Sequence, residues 1–263
     1  MLITTLPSEP AVFAIHPQNA AATEAPDECS RSTPFKYSPT TTLIIAVFAE
    51  QPHAIANLHF FLRQGVLVND PRFAFVVVVN GNASSEVIGL LKSVERAACN
   101  FEVRWRENNG FDSCAWREAL VSNKAGLGIQ PPLSMPASNA TFVITINFSL
   151  RGPFLRPDEF RPWPEAFTSL LLGPTNVRLS GTTMNCDPLL HIQGMLWAFL
   201  GSDIPWLLEE GFPCFPRQGS LDTQKERAIV RNELSVPVAV LRRGYNLAVT
   251  QVIGPQSPQP SVA

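Results

Sequence analysis

Two continuous apolar runs decide the fold: TLIIAVFA at positions 42–49 and FAFVVVVN at positions 73–80. Both are rich in Val and Ile, and both have the length of a strand that is buried on its two faces. The segment IANLHFFLRQGV between them has large apolar residues at helical intervals before Gly65, which favours a helix end. Strand, helix and strand in this order predict a βαβ unit in a parallel sheet.

The same alternation continues along the chain. Further strands are predicted at 101–105, 140–148 and 176–180. Further helices are predicted at 87–98, 111–121, 163–172 and 189–200, the last of them apolar nearly all round and therefore expected to be buried. Near the C-terminus, Thr223-x-x-Glu226 fits a capping box that opens one helix, and Ser235-Val-Pro237 opens another that Gly244 would end. We predict an α/β fold with a mostly parallel central sheet and helices on both faces.

Composition limits the classes of protein that this chain can be. Its 263 residues are 45% apolar and 16% charged, which permits a sizeable core and excludes disorder of the whole chain. The formal net charge of -2 provides no electrostatic footprint for nucleic acid, so we expect none as a partner. No apolar run approaches the roughly 20 residues that cross a bilayer, so no membrane-spanning segment is expected.

The two ends of the chain differ from its middle. Residues 1–39 and 253–263 are rich in proline, so we predict extended or disordered tails on both sides of a single folded domain at 40–252. The N-terminus lacks the basic and apolar regions of a signal peptide. The default expectation is a cytoplasmic protein, or one of the Golgi or secretory lumen if the N-terminus is incomplete.

The five cysteines are an odd number, widely scattered, and none lies in a C-x-x-C pair. We therefore expect neither a zinc site nor a disulfide framework.

Polar residues follow each of the first four predicted strands. Glu50 comes after the first, Asn80 and Gly81 after the second, the segment 107–112 after the third, and Asn147 at the end of the fourth. Ligands of doubly wound α/β folds bind at the carboxyl ends of the strands. These residues are therefore expected to converge on one pocket.

The segment ENNGFDSCAW at 107–116 leads into a helix and contains Asn109, Gly110 and Asp112. Backbone N–H groups at a helix N-terminus attract phosphate or a sugar hydroxyl, and small side chains permit close approach. The alternative is a simple loop in which Asp112 caps the helix. No Walker loop and no G-x-G-x-x-G fingerprint occurs, which removes the best support for ATP or NAD.

Three further groups of residues are candidates. Arg151 suits pairing with a diphosphate, and Asn147 suits a ribose or sugar hydroxyl, unless both belong to a structural turn. Glu233 lies at the junction of two predicted helices and is a further candidate, with an ordinary salt bridge as the alternative. The predicted buried helix is flanked by residues that suit a pocket, although a histidine there is more often a core residue: Asn185, His191 and Gln193.

The order of these motifs resembles a widespread group of glycosyltransferase-like proteins related to rhamnan-synthesis-type polysaccharide glycosyltransferases. The resemblance covers roughly residues 40–250. The matching segments are FAEQPHAIANLHFFLRQGV (48–66), FAFVVVVNGN (73–82), ENNGFDSCAW (107–116), INFSLRGPFL (146–155), LSGTTMNC (179–186), HIQGMLWAF (191–199) and ERAIVRNELSVPVAVLRRGYNL (226–247).

The resemblance implies a GT-A-like, Rossmann-related domain that binds a nucleotide sugar and passes a hexosyl or deoxyhexosyl group to a glycan or other hydroxyl acceptor. It places Glu50 and Asn80 near the nucleotide, and Asn109 and Asp112 near the ribose or donor sugar. Asn147 then stands where such folds usually carry a metal-binding D-x-D. This chain has no D-x-D, so binding of Mn²⁺ or Mg²⁺ is in doubt, and Arg151 is the alternative group to neutralise the leaving diphosphate.

The same resemblance makes Glu233 a catalytic candidate beside Asp112, with either carboxylate accepting the proton of the acceptor hydroxyl. Two other functions stay open. One is a carbohydrate- or nucleotide-binding module that has kept the pocket and lost catalysis. The other is a hydrolase with a Ser or Cys nucleophile, which the absence of a G-x-S-x-G motif disfavours.

Overall fold

The computed structural model describes residues 40–121, 137–152, 161–187, 189–212, 214, 231 and 233–250. The strands of this part are β1 (Thr42–Phe48), β2 (Phe73–Asn80), β3 (Phe101–Arg106), β4 (Phe142–Asn147), β5 (Val177–Gly181), β6 (Met184–Asn185), β7 (His191–Ile192), β8 (Leu196–Leu200) and β9 (Asn246–Val249). The α-helices are α1 (Pro52–Gln64), α2 (Ser85–Ala97), α3 (Phe111–Val121), α4 (Trp163–Leu171), α5 (Ile204–Glu210) and α6 (Ser235–Arg242). The expected tails at 1–39 and 253–263 and the helix opened by Thr223 lie outside the described residues.

Seven strands form one twisted sheet in the order β3-β2-β1-β4-β8-β5-β9. Strand β8 runs antiparallel to both of its neighbours, β4 and β5, whereas the pairs β1–β2, β1–β4, β2–β3 and β5–β9 are parallel. The short strands β6 and β7 form a separate hairpin. The predicted fold class, an α/β fold with a mostly parallel sheet, is therefore confirmed.

Helices cover both faces of this sheet, as the sequence predicts. Every residue of β1 is buried, and its side chains alternate between two hydrophobic clusters. Ile44 and Phe48 pack in the cluster with α1, α2 and α4. Leu43 and Ile45 pack in the cluster with α3, α5 and α6. The alternation follows from the period of two along a strand, which sends successive apolar side chains to opposite faces.

The helix predicted at 189–200 is wrong. This stretch contains β7, a turn at Gly194 and Met195, and β8, which inserts between β4 and β5. A short apolar run has no periodicity that separates a buried helix from a buried strand. Trp197 and Phe199 are fully buried on one face of β8, a position that suits aromatic side chains in a central strand.

The expectation of no disulfide framework is also wrong. Cys114 of α3 forms a disulfide with Cys214, 100 residues further along the chain, and Cys99 is disulfide-bonded as well. Arg117, one turn after Cys114, donates to the backbone carbonyl oxygens of Leu208 and Phe212 at the end of α5. The disulfide and the arginine together fasten α3 to the segment after α5. Spacing along the sequence cannot reveal such a pair, because only the tertiary structure brings the two cysteines together.

Two glycines provide a matched test of the packing. Gly201 directly follows β8, and a Cβ added there would lie 1.8 Å from the carbonyl oxygen of Ala140, whereas a Cβ on the exposed Gly89 of α2 would meet nothing within 4 Å. We expect Gly201→Ala to lower the free energy of unfolding by about 3 kcal/mol or more. We expect Gly89→Ala to raise it by about 1 kcal/mol, because Ala favours a helix. Urea denaturation measures both, and equal stabilities of the two variants would contradict the packing described.

The disulfide gives a second test. We expect the double substitution Cys114→Ala with Cys214→Ala to lower the free energy of unfolding by about 2–5 kcal/mol, since the unfolded chain loses a long-range constraint. Cys186→Ser is the control, because Cys186 is an exposed free thiol. Denaturant titration of the three proteins without reductant is the measurement. A double variant as stable as the control would argue against the disulfide.

Candidate active site at the carboxyl edge of the sheet

The carboxyl ends of β1, β2, β3 and β4 lie side by side along one edge of the sheet. Asn80 and Arg106 end β2 and β3 and are direct neighbours in the register of those strands. Asn147 ends β4 beside Val47 of β1, and Glu50 follows β1. The sheet thus brings together at one edge the polar residues that the sequence places after separate strands.

A carboxylate and an amide meet at this edge. Asn147 donates from Nδ2 to Oδ2 of Asp112 at 3.0 Å, and its Oδ1 accepts a hydrogen bond from the backbone N–H of Ser149 at 3.2 Å. The Ser149 N–H can only donate, so it fixes the orientation of the Asn147 amide. Oδ1 of Asp112 accepts no hydrogen bond from the described residues, and it is the carboxylate atom left for a ligand.

Burial raises the pKa of Asp112 to about 6, although the hydrogen bond from Asn147 and the charge of Arg106 act in the opposite direction. Asp112 lies inside the first turn of α3, and its side chain accepts a hydrogen bond from Asn147. A carboxyl group with a pKa near 6 is largely ionised at neutral pH. It is also basic enough to take a proton from an activated hydroxyl group.

The chain has an uncommon backbone conformation where α3 begins. Gly110 has φ +87°, and Phe111 has φ +60°, a left-handed conformation that costs free energy for a residue with a side chain. Ser113 donates from its hydroxyl to the carbonyl oxygen of Gly110 at 3.3 Å. This conformation sets the direction in which the side chain of Asp112 points from the backbone. Asn109, just before Gly110, is exposed.

Arg106 is a site residue that the sequence interpretation missed. Its side chain is almost fully buried, and it forms an ion pair with Glu118 of α3 at 2.8 Å. It also donates to Oδ1 of Asn80 and to the carbonyl oxygen of Asn109. The available signal was the strand sequence FEVRWR, which places two arginines at alternate positions and therefore on one face of β3.

Glu50 and Gly81 have local roles at the same edge. The half-buried Glu50 accepts a hydrogen bond from the backbone N–H of Ser84, the N-cap residue of α2, at 2.5 Å. Gly81 has φ +105°, and a Cβ there would lie 3.2 Å from Cβ of Asn108. The absence of a side chain at Gly81 lets the turn after β3 approach the turn after β2 closely.

The segment between β7 and β8 adds a second group of residues next to Asn147. The backbone N–H of Asn147 donates to the carbonyl oxygen of Met195 at 3.1 Å, and the neighbouring Gly194 N–H donates to Oε1 of Glu233 at 3.1 Å. Gln193 accepts a hydrogen bond from the hydroxyl of Thr183 at 2.5 Å. Glu233 and Gln193 are therefore held near the end of β4.

The remaining predicted residues have contacts with residues other than Asp112 and Asn147. His191 is buried, and its Nδ1 lies 2.8 Å from the carbonyl oxygen of Leu189, which fits a core histidine. Asn185 is exposed and accepts from the backbone N–H of Asp187. Arg151 is exposed, with its guanidinium 4.9 Å from the centre of the Phe60 ring.

The described residues do not offer a clustered metal site. Among them, no group of three or more His, Cys, Asp or Glu side chains is placed to hold an ion. At Asn147, where a D-x-D motif was considered, the side chain is an amide that hydrogen-bonds to Asp112, so this pair supplies one carboxylate and not two. The described helices also include none that is both long and apolar enough to span a bilayer.

Comparisons with known proteins identify no family. No family model matches the chain, and no curated protein matches it. Among solved structures, the chain is similar to the mannosyltransferase PcManGT from Pyrobaculum calidifontis, which was solved with GDP-Man and Mn²⁺. The sequence identity is 13% and the TM-score 0.44, over 84% of this chain and 59% of that one, so this chain spans about three fifths of the other's length. A likeness at this level carries no information about substrate.

The raised pKa of Asp112 predicts a pH-dependent stability. The folded chain binds the Asp112 proton more tightly than the unfolded chain, so the stabilising contribution is complete below about pH 4 and is lost as the pH rises through about 6. Asp112→Asn removes the charge of this half-buried side chain and keeps an oxygen for Asn147. We expect the substitution to raise the free energy of unfolding at pH 8. The gain at pH 8 should exceed the gain at pH 4 by an amount on the order of 2 kcal/mol.

Urea denaturation at the two pH values measures this difference. Asp187→Asn is the matched substitution, because Asp187 is exposed in the hairpin loop. A gain from Asp112→Asn that is the same at pH 4 and pH 8 would contradict the burial of an ionised carboxylate.

Proposed function

We propose that this protein is a glycosyltransferase that binds a nucleotide-sugar donor at the carboxyl edge of its sheet and transfers the sugar to a hydroxyl group of a glycan acceptor. The observation that carries the proposal is the Asp112–Asn147 pair, a half-buried carboxylate hydrogen-bonded to an amide where four strand ends meet. Open α/β sheets bind their ligands at this edge. The resemblance of the ordered sequence motifs supports the same assignment.

We assign the predicted residues to three groups. Those assigned to the donor nucleotide and its sugar are Glu50, Asn80, Gly81, Asn109, Gly110, Asn147 and Arg151. Those assigned to the acceptor side are Asn185, His191 and Gln193, of which Gln193 has the strongest support, because it lies next to the Gly194–Met195 turn that contacts Asn147 and Glu233. Asp112 and Glu233 are assigned to the chemistry.

The transfer step needs a group that accepts one proton. The bond between the anomeric carbon and the diphosphate oxygen breaks, a bond from that carbon to the acceptor oxygen forms, and the hydroxyl proton leaves to a carboxylate. Asp112 suits this role because its pKa of about 6 leaves it ionised but basic at neutral pH, and its Oδ1 accepts no hydrogen bond from the described residues. Glu233 is the second candidate. The exposed Arg151 is the nearest cation in sequence to Asn147 and is assigned to the leaving diphosphate.

Two measurements test the proposal in order. Isothermal titration with UDP-, GDP- and dTDP-sugars, each with and without Mn²⁺, is expected to give saturable binding with one nucleotide family. Asn147→Ala is expected to weaken this binding at least tenfold, about 1.4 kcal/mol, and Asp187→Asn to leave it unchanged. Failure of all three families to bind would overturn the donor site.

Transfer is then assayed with the donor that binds. We expect the rate to rise with pH through about 6 in the wild-type chain and this rise to disappear in Asp112→Asn, because the ionised carboxylate is the acting form. An unchanged pH profile in Asp112→Asn would remove Asp112 from the chemistry. Glu233→Gln, measured in the same assay, tests whether the second carboxylate takes part in the transfer.

A non-catalytic binding module with the same fold is the second candidate. The specific observation in its favour is that the partner of Asp112 is an amide instead of the second carboxylate that a D-x-D motif provides. The two functions differ in one result. Saturable donor binding without transfer to any of a panel of glycan acceptors, and without donor hydrolysis, supports the module.

A further inference from the structure

Arg106 connects the separate parts of the candidate site. Its Nε and Nη2 each lie 2.8 Å from an oxygen of Glu118 on α3, in a two-pronged ion pair. Nη2 also donates to the carbonyl oxygen of Asn109 at 2.9 Å, and Nη1 donates to Oδ1 of Asn80. One buried guanidinium thus holds the end of β2, the turn after β3 and helix α3 in fixed relative positions.

The chemistry of the guanidinium decides how the Asn80 amide is oriented. Arginine has only N–H donors and no acceptor, so the Asn80 atom that faces it must be the oxygen. The nitrogen of that amide is then the atom that faces the turn after β3. It donates to Oδ1 of Asn108 at 3.2 Å.

The orientation of the Asn80 amide in turn fixes the orientation of the Asn108 amide. Because Nδ2 of Asn80 is a donor, Asn108 must present its oxygen to it, and the nitrogen of Asn108 is left for other partners. Nδ2 of Asn108 has no hydrogen-bond partner among the described residues. Asn108 itself is half-buried, next to Gly81, at the carboxyl edge of the sheet.

We propose that Arg106 is a positioning residue that fixes the direction of the chain Arg106–Asn80–Asn108, so that Asn108 presents N–H donors to the bound nucleotide. The inference rests on the proposed function for the identity of the ligand. The ligand atom that contacts Asn108 is an acceptor, namely a carbonyl, hydroxyl or phosphate oxygen, and not an amino group. Arg106 itself touches no ligand in this arrangement, and it acts through the two amides.

The substitution Asn80→Asp reverses this chain with little change of shape. Both oxygens of the new carboxylate accept, so the hydrogen bond from Arg106 is kept and becomes an ion pair, and Asn108 must turn its nitrogen inward to donate to the carboxylate. The oxygen of Asn108 then faces the ligand. Asn108→Ala removes the donor without adding a charge. Asn176→Asp is the matched control, because Asn176 is exposed just before β5, at the opposite edge of the sheet.

Side-chain amide exchange tests the orientation in the free protein. In ¹H–¹⁵N NMR spectra we expect the Asn108 amide protons of the wild-type chain to exchange rapidly with water. In Asn80→Asp we expect their exchange to slow at least tenfold, because they now donate to a buried carboxylate. Exchange of the Asn108 amide that is unaffected by Asn80→Asp would overturn the proposed orientation.

Nucleotide binding tests the consequence for the ligand. With UDP, GDP or dTDP, whichever the wild-type chain binds, we expect Asn80→Asp and Asn108→Ala each to raise Kd at least tenfold and Asn176→Asp to leave it unchanged. A wild-type Kd in Asn108→Ala would overturn the assignment of Asn108. If the wild-type chain binds none of the three, the proposed function and the ligand contact both fail, while the exchange measurement still decides the orientation of the amides.

Discussion

The burial of β1 on both faces is the constraint on which the rest of this structure depends. Its backbone groups are paired with β2 and β4, and its side chains from Leu43 to Phe48 are at most 1% exposed. A strand in this position has no room for polar side chains along its length, because an unpaired polar group in the interior is costly. In β1 and its neighbour β2, no polar side chain lies in the middle of the strand, and the polar residues Glu50 and Asn80 come after or at the carboxyl end. This edge is the place available for a ligand.

Interactions of Arg106 and of helix α3 hold the candidate site in place. Arg106 and Glu118 form a buried ion pair. Each of these residues needs the other, because an unpaired charge in the interior is strongly destabilising. The Cys114–Cys214 disulfide and Arg117 also fasten α3 to the segment after α5. Helix α3 is thus held both to β3 and to this segment, which supports the strained backbone at Phe111 and the direction of the Asp112 side chain.

The fold was more predictable than the site. Continuous Val- and Ile-rich runs and amphipathic helices predict β1, α1 and β2 directly, because a strand buried on both faces needs such residues. The helix prediction for 189–200 was wrong because the conformation of this stretch depends on β4 and β5 and not on its own periodicity. Its second half forms β8, which inserts between those two strands. Asp112 and Asn147 were both candidates from the sequence, but their mutual hydrogen bond joins residues 35 positions apart.

The sequence by itself determined the alternation of strands and helices and the concentration of polar residues after each strand, since both follow from local periodicity and from the cost of burying polar groups. Only the tertiary structure decided which of those residues meet. It paired Asp112 with Asn147, placed Arg106 between Asn80 and Glu118, and joined Cys114 to Cys214. The physical reason is that strand order and helix packing set these distances, and residues far apart in the chain interact only after the sheet has formed.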